Sequence, residues 1–495
     1  MFILAIDQGT TGTSAFVFNR QRRVVGRAYE ELPQHYPQPG WVEHDPRQIL
    51  QITQRVIGQA LRAARVRAGR VEAIGVTNQR ETTILWDRRT GRPVAPAIVW
   101  QCRRSAPLCD ALKRRGLEPT IRRKTGLVLD AYFSGTKIRW LLDHVKGLNR
   151  RAQAGEIAFG TVDSWLLWHL TGGRVHATDY TNASRTLLYN IRSLRWDDGL
   201  LRLLGVPRAL LPEVKSSSGS FGVTAALGPL PAGIPITGIA GDQQASLVGH
   251  GCVEPGTAKN TYGTGCFLLL NVGARMVASR HGLLTTLAYG GTPRPVYALE
   301  GSVFIAGAAI QWLRDGLRLI GTAAETESIA RRVPDTGGVY LVPAFVGLGA
   351  PYWDMQARGA IIGLTRGTTR EMLVRATLES LAYQTRDVVE AMEQDSGVRL
   401  KRLQVDGGAA QNDWLMQFQA DVLDFEVVRP SLVANTAKGA ALLAGIGIGW
   451  WRPRDVACVA GRPERVFRPR MPRAQVQRLY AGWREAVARV RTTPA

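Results

Sequence analysis

Two segments far apart in this chain repeat one pattern: an apolar strand, a polar turn rich in glycine and threonine, and a second apolar strand. The first runs from Phe2-Ile3-Leu4-Ala5-Ile6 through Asp7-Gln8-Gly9-Thr10-Thr11-Gly12-Thr13 into Ser14-Ala15-Phe16-Val17-Phe18. The second runs from Lys259 to Gly263 through Thr264-Gly265 into Cys266-Phe267-Leu268-Leu269-Leu270. They lie about 255 residues apart, and a weak duplication at that spacing predicts two domains that each open on a hairpin. Length agrees, since 495 residues are too many for one comfortable core. The expected division is 1–250 and 251–495, with the boundary near Gly249 to Gly256 and a cleft between the two.

The turns themselves leave the chemistry open. Glycines let a backbone approach an anion, threonine hydroxyls and amides donate hydrogen bonds, and the Asp7 carboxylate could hold Mg²⁺ through water. The same residues also favour a plain β-hairpin turn, and nothing in the segment separates the two readings.

Short apolar runs alternate with helical stretches along the rest of the chain, which predicts α/β layering. Ala73-Ile74-Gly75-Val76-Thr77 and Leu403-Gln404-Val405 read as buried strands. Ser134 to Val145, Asp163 to Leu170, Gly301 to Leu319 and Asn412 to Leu423 read as helices. Their tryptophans, Trp140, Trp165, Trp168 and Trp312, read as core.

Charge first suggests a polyanion partner, because the formal net charge is +23. The excess is nearly all arginine, however, scattered as singles and pairs such as Arg22-Arg23, Arg114-Arg115 and Arg331-Arg332. Without a basic block or an aromatic-interleaved strip, nucleic-acid binding is not expected as the main function. The five cysteines (Cys102, Cys109, Cys252, Cys266, Cys458) lack CxxC spacing and indicate neither a disulfide framework nor a zinc site. Met1 leads directly into Phe2 to Ile6, too short and too uncharged in front for a signal peptide. Gly439 to Trp451 is short and glycine-broken, so no transmembrane segment is expected. A cytoplasmic protein fits these features.

Three further segments could carry chemistry. In Thr77-Asn78-Gln79-Arg80-Glu81-Thr82-Thr83, the opposite charges can meet one ligand only if the chain leaves the strand there, since successive strand residues face opposite ways. A donor fork beside an acceptor would suit a polyhydroxyl compound, and a solvent-exposed pair is the plainer alternative. In Gly238-Ile239-Ala240-Gly241-Asp242-Gln243-Gln244, an apolar strand ends on a carboxylate where a helix begins; Asp242 is either an N-cap or a catalytic group at the carboxyl end of a strand. Val405-Asp406-Gly407-Gly408-Ala409-Ala410-Gln411-Asn412 is strand, glycine turn and helix start, open to a nucleotide or simply a tight connection. Gly307 and Gln311, one helical turn apart, could face that nucleotide or only pack. GxxxxGK[ST], HExxH and GxSxG are all absent, which removes P-loop, zincin and serine-hydrolase chemistry.

Taken in order, these segments closely resemble the FGGY carbohydrate kinases, and within them the branch that phosphorylates glycerol. The likeness runs nearly end to end. It includes Pro39-Gly40-Trp41-Val42-Glu43-His44-Asp45-Pro46, Ile98-Val99-Trp100-Gln101-Cys102-Arg103-Arg104, Tyr132-Phe133-Ser134-Gly135-Thr136-Lys137, Thr178 to Arg185, and Gly347-Leu348-Gly349-Ala350-Pro351-Tyr352-Trp353. The resemblance implies a two-domain, actin-like (ribonuclease H-like) α/β fold with the active site in the interdomain cleft. It implies ATP and Mg²⁺ as cofactors, and glycerol held by Arg80, Glu81, Tyr132, Asp242 and Gln243 between the apolar walls Trp100 and Phe267. By the same likeness Asp242 is the catalytic base, and Asp7 and Asp242 lie near the metal. Thr10, Thr11, Gly12 and Thr264 would lie at the phosphates, and Gly307, Gln311, Gly408 and Asn412 around the nucleoside. The expected product is sn-glycerol 3-phosphate, with a kinase for another polyol or sugar as the alternative, and the protein is expected to form homodimers or homotetramers.

Two departures from the family pattern bear on this. Bacterial relatives commonly carry serine at the position of Gly12 and arginine at that of Ser14, so nucleotide affinity is expected to differ. Pro231-Ala232-Gly233-Ile234-Pro235 lacks the arginine of the family's inhibitory loop, and inhibition by fructose 1,6-bisphosphate is expected to be weak or absent.

Overall fold

The computed structural model describes residues 1–290, 295–431, 434–453, 455–456 and 463–492. Strands β1 (Phe2–Gln8), β2 (Gly12–Asn19), β3 (Val24–Glu31), β4 (Val71–Asn78) and β5 (Ile236–Gly241) form a first sheet in the order β5-β4-β1-β2-β3. β1, β4 and β5 run parallel, while β2 folds back antiparallel to β1 and β3 antiparallel to β2. Ile3 to Ile6 are fully buried, as a strand covered on both faces requires.

One cover is helix α1 (Pro46–Ala64), which Asp45 caps by accepting from the Arg47 amide. Its Ile49, Ile52, Val56 and Ala60 recur at helical spacing and bury against the sheet. The other cover arrives from far along the chain. Helix α8 (Asn435–Gly447) lays Ala437, Ala440, Ala441 and Ala444 over Ile3, Ala5, Phe18 and Ala73. The approach is so close that a Cβ on Gly75 would lie 2.2 Å from the Ala440 carbonyl oxygen. Between α1 and α8 in sequence come α2 (Ser134–His144), α3 (Val162–Leu170), α4 (Asp242–Gly249), α5 (Gly307–Gln311), α6 (Arg370–Ser396) and α7 (Asp413–Leu423).

A second sheet joins β6 (Ala258–Tyr262), β7 (Cys266–Gly273), β8 (Leu284–Tyr289), β9 (Val296–Val303), β10 (Arg402–Gly407), β11 (Glu426–Pro430) and β12 (Pro463–Phe467) in the order β8-β9-β7-β6-β10-β11-β12. Its middle repeats the first sheet. β6 pairs antiparallel with β7 and parallel with β10, as β1 does with β2 and β4. Each sheet also sends out one helix where its last parallel strand ends, α4 after β5 and α8 after β11. These two helices pack tightly on each other through glycine. A Cβ on Gly249 would lie 1.9 Å from the Asn435 carbonyl oxygen, and one on Gly439 would lie 1.8 Å from that of Ala245.

The expected strands and most expected helices are present, with one correction. Gly301 to Leu319 is not one helix: Gly301 to Val303 finish β9, paired with Cys266 to Leu268, and helix starts only at Gly307. Five residues of α-helix are followed by a π-helical turn over Trp312–Gly316. Inter-strand pairing wins over local helical periodicity there. Trp165 and Trp168 are buried, whereas Trp140 and Trp312 are only partly so. Cys102, Cys109, Cys252 and Cys266 are buried free thiols, and Cys458 lies outside the described residues. Among the described residues no helix is long and apolar enough to cross a membrane.

Candidate functional site

Every expected site residue except Tyr132, Trp100, Phe267, Gly307, Gln311 and Asn412 lies on a parallel strand's carboxyl end or in the turn just past it. That is where ligand crevices form in α/β sheets. Asp7 is the last residue but one of β1, beside Thr77 of β4 and opposite Ser14 of β2. The turn that follows is shut by the Gly9 amide donating to the Gly12 carbonyl at 2.9 Å. The Trp100 indole N–H donates to Thr10 Oγ1 at 2.8 Å, which leaves the Thr10 hydroxyl proton free to be donated. Thr11 is exposed, and Gly12 lies so close to Tyr29 that a Cβ would sit 2.5 Å from its ring. Burial, and then the negative charge of Asp242, push the Asp7 carboxyl up to about 7.

Past β4 the chain does leave the strand. Glu81 takes a left-handed backbone with φ 62°, uncommon for a residue with a side chain, and this turns its carboxylate back toward its neighbour. Arg80 Nε lies 3.8 Å from Glu81 Oε1 and 3.4 Å from Asp242 Oδ1. Its Nη2 points at the Tyr132 hydroxyl at 3.4 Å. Trp100 stands edge-on to Tyr132, with centroids 5.6 Å apart, and edge-on to Phe267 at 6.3 Å. Arg80 and Glu81 are therefore buried partners, not the exposed pair that was the plainer alternative.

Asp242 is the first residue of α4 and does not cap it; the N-cap is Gly241, without a side-chain bond. Its carboxylate accepts from the Gln243 amide at 2.7 Å and stays 30% exposed, so it can be reached from the cleft. The Gln243 side-chain oxygen accepts from the Lys259 ammonium, which leaves the amide nitrogen as the group Gln243 can offer. Lys259 also donates to Thr261 Oγ1 at 2.9 Å and to the Phe267 carbonyl at 3.3 Å. Burial draws its pKa down to about 8.

The second hairpin makes a more exposed surface. Its turn is closed by the Gly263 amide on the Gly265 carbonyl at 2.9 Å, echoing the first. It sits on the start of α5: the Gly307 amide donates to the Gly263 carbonyl at 3.0 Å and the Ala308 amide to that of Thr264 at 3.1 Å. A Cβ on Gly307 would lie 2.5 Å from the Gly263 carbonyl oxygen. Thr264 and Gly408 are exposed, Gly408 just past β10, which pairs with β6. Gln311 is exposed at the end of α5, and Asn412 caps α7 while donating to Thr326 Oγ1 at 3.1 Å.

Sequence reasoning missed three buried charges behind the pocket. Glu300, in the middle of β9, accepts from Arg80 at 2.6 and 3.1 Å and from Arg185 at 2.9 Å. Arg185 in turn donates to Glu81 at 2.6 Å. Lys259 is the third. The available signal was a charged residue inside an apolar run, since Glu300 follows Tyr297-Ala298-Leu299 and an ion in such a strand needs a buried partner.

Comparison with known proteins agrees with this architecture. A model of the FGGY family of carbohydrate kinases, N-terminal domain, matches residues 2–249, and one of the C-terminal domain of the same family matches residues 258–448. The chain belongs to that family. It is 60% identical to a glycerol kinase of Halorhodospira halophila, over 99% of this chain and 96% of the relative. A glycerol kinase of Carboxydothermus hydrogenoformans is 58% identical, over 99% of this chain and 98% of the relative. The crystal structure of Plasmodium falciparum glycerol kinase with ADP superposes with a TM-score of 0.94 at 36% identity, covering 100% of this chain and 99% of that one. The fold is thus the mixed α/β, two-domain fold of the FGGY kinases.

Proposed function

We propose that the protein transfers the γ-phosphoryl group of ATP to a terminal hydroxyl of glycerol, giving sn-glycerol 3-phosphate and ADP. The observation that carries this reading is the convergence on one side of Arg80 of two carboxylates, Glu81 at 3.8 Å and Asp242 at 3.4 Å, beside the apolar walls Trp100 and Phe267. A triol carries a hydroxyl on each carbon and little apolar surface, so its recognition needs donors and acceptors in pairs. The names of the relatives, glycerol kinases at 58% and 60% identity, point the same way.

In this reading Arg80 and the Gln243 amide nitrogen donate to glycerol oxygens, Glu81 accepts from a hydroxyl, and the Tyr132 hydroxyl completes the pocket. Asp242, reachable from the cleft, takes the proton of the attacking terminal hydroxyl as that oxygen bonds to phosphorus and ADP departs in line. Thr10 and Thr11, with the Gly12 turn and Thr264, donate to the phosphates. Gly307, Gln311, Gly408 and Asn412 surround the nucleoside, where bare backbone lets a flat ring approach. The carboxylates of Asp7 and Asp242 fit a divalent cation, because the charge of one already raises the proton affinity of the other. No group of three or more such ligands occurs among the described residues, so Mg²⁺ would be held by Asp7 and Asp242 with water and phosphate oxygens, and would supply charge neutralisation at the phosphates. Cytoplasmic residence and self-association into dimers or tetramers belong to the same reading, and light scattering tests the second.

A coupled ATP assay over glycerol, dihydroxyacetone, erythritol and xylulose tests the assignment. Glycerol should have the highest kcat/KM, and a preference for any of the others would replace it.

A further inference from the structure

The side chains behind the pocket form a closed circuit of alternating charge. Arg80 donates twice to Glu300, Glu300 accepts from Arg185, and Arg185 donates to Glu81. The fourth side, from Glu81 back to Arg80 Nε, is the longest at 3.8 Å. All four side chains are buried to within a few per cent, and they come from three separate parts of the chain. Two guanidiniums balance two carboxylates, the condition for holding ions out of water.

The circuit decides which edge of Arg80 faces the cleft. Its two Nη groups are taken up by Glu300, Gln244 and Tyr132. Its Nε edge, toward Glu81 and Asp242, carries no short bond and is the edge open to a ligand oxygen. Without the Glu300 charge, the same guanidinium would be drawn onto Glu81 and Asp242, covering the acceptor and the base together. Glu300 itself is held down at about 2: burial would raise it, and the Arg185 and Arg80 charges outweigh burial.

We propose that Glu300 and Arg185, which touch no reacting atom, are positioning residues that set the acceptor specificity. Glu300 fixes Arg80 so that its Nε edge is presented, and Arg185 fixes Glu81 beside it, leaving between them a slot for the two vicinal hydroxyls of glycerol that are not phosphorylated, of which propane-1,2-diol has only one to offer. This rests on the glycerol reading above and assigns part of that specificity to Glu300, on a strand of the second sheet.

The test compares Glu300→Gln, Glu300→Asp and Arg185→Lys with the unmodified protein, measuring KM for glycerol, KM for ATP, kcat and the preference for glycerol over propane-1,2-diol. Glu300→Gln keeps shape and loses charge; its glycerol KM should rise about 10–100-fold while its ATP KM stays within about twofold. The preference over propane-1,2-diol should fall at least about tenfold, because the diol never used the full slot. Glu300→Asp and Arg185→Lys retain the charges and should lie between, a graded rescue that loosened packing would not give. Folding is checked by ADP binding. Folded variants with unchanged glycerol KM, or with glycerol and ATP KM rising together, would overturn the proposal, as would loss of folding in all three. If the unmodified protein ignores glycerol, the functional reading fails instead; if it uses glycerol and the variants match it, only this inference fails.

Discussion

The acceptor pocket and the nucleotide face proposed above lie around the ends of equivalent strands in two similar sheets, yet they are made of different material. The pocket presents buried side-chain charges, Arg80 and Glu81, each held from behind by another, Glu300 and Arg185. The nucleotide face is built from glycine backbone and exposed groups at Gly263, Thr264, Gly307, Gln311 and Gly408. A small polar acceptor must be recognised by directed bonds in a dry setting, where an unmatched group is heavily penalised. A nucleotide offers a large flat surface and a chain of charge that backbone amides can follow. Side-chain chemistry should therefore be the weak point of the pocket, and added bulk the weak point of the face.

The strongest way to break that contrast lies where both sides meet. Asp242→Asn should lower kcat by about 10²–10⁴ with little change in ATP KM, as for loss of a general base, and steady-state kinetics would expose an unaffected kcat. Gly307→Ala comes next: its methyl would lie 2.5 Å from the Gly263 carbonyl, so ATP KM should rise about tenfold while glycerol KM holds. A glycerol KM that moved with it would erase the distinction. Trp100 joins the two sides, as a wall of the pocket and a donor to Thr10. Trp100→Phe should raise both KM values about fivefold, the effect of one lost hydrogen bond, and a change confined to one substrate would show that the bridge is not shared. Gly12→Ser supplies the hydroxyl that the family resemblance leads one to expect at this position. Although its Cβ would meet the Tyr29 ring, that ring is 56% exposed and can swing away, so ATP KM should stay within about twofold.

Much of the frame was legible because local chemistry and global fold agree. Both hairpins, the strand before Arg80 and the strand-to-helix junction at Asp242 announce themselves by apolar runs that end on polar turns. The Arg80-Glu81 pair announced a puzzle, which the left-handed backbone at Glu81 resolves. What stayed hidden depends on pairing over long distances. Glu300 lies inside a strand, Val296–Val303, that the sequence analysis does not single out, and nothing nearby says that its counter-charges are Arg80 and Arg185. Gly301 to Val303 looked helical only because their β partners, Cys266 to Leu268, are remote in sequence. The crossing of α8 onto the first sheet is equally silent, since an alanine-rich helix suits many surfaces.

That crossing has a consequence for how the protein is made. Until α8 is synthesised, Ile3, Ala5, Phe18 and Ala73 have no cover on the face it will occupy. A ribosome adding roughly 5–20 residues per second needs on the order of 10–40 s to travel from Gly249 to Asn435. During that interval the amino-terminal sheet is complete in its strands and unfinished on one side, so this is the stage of biosynthesis at which the nascent chain most needs a chaperone.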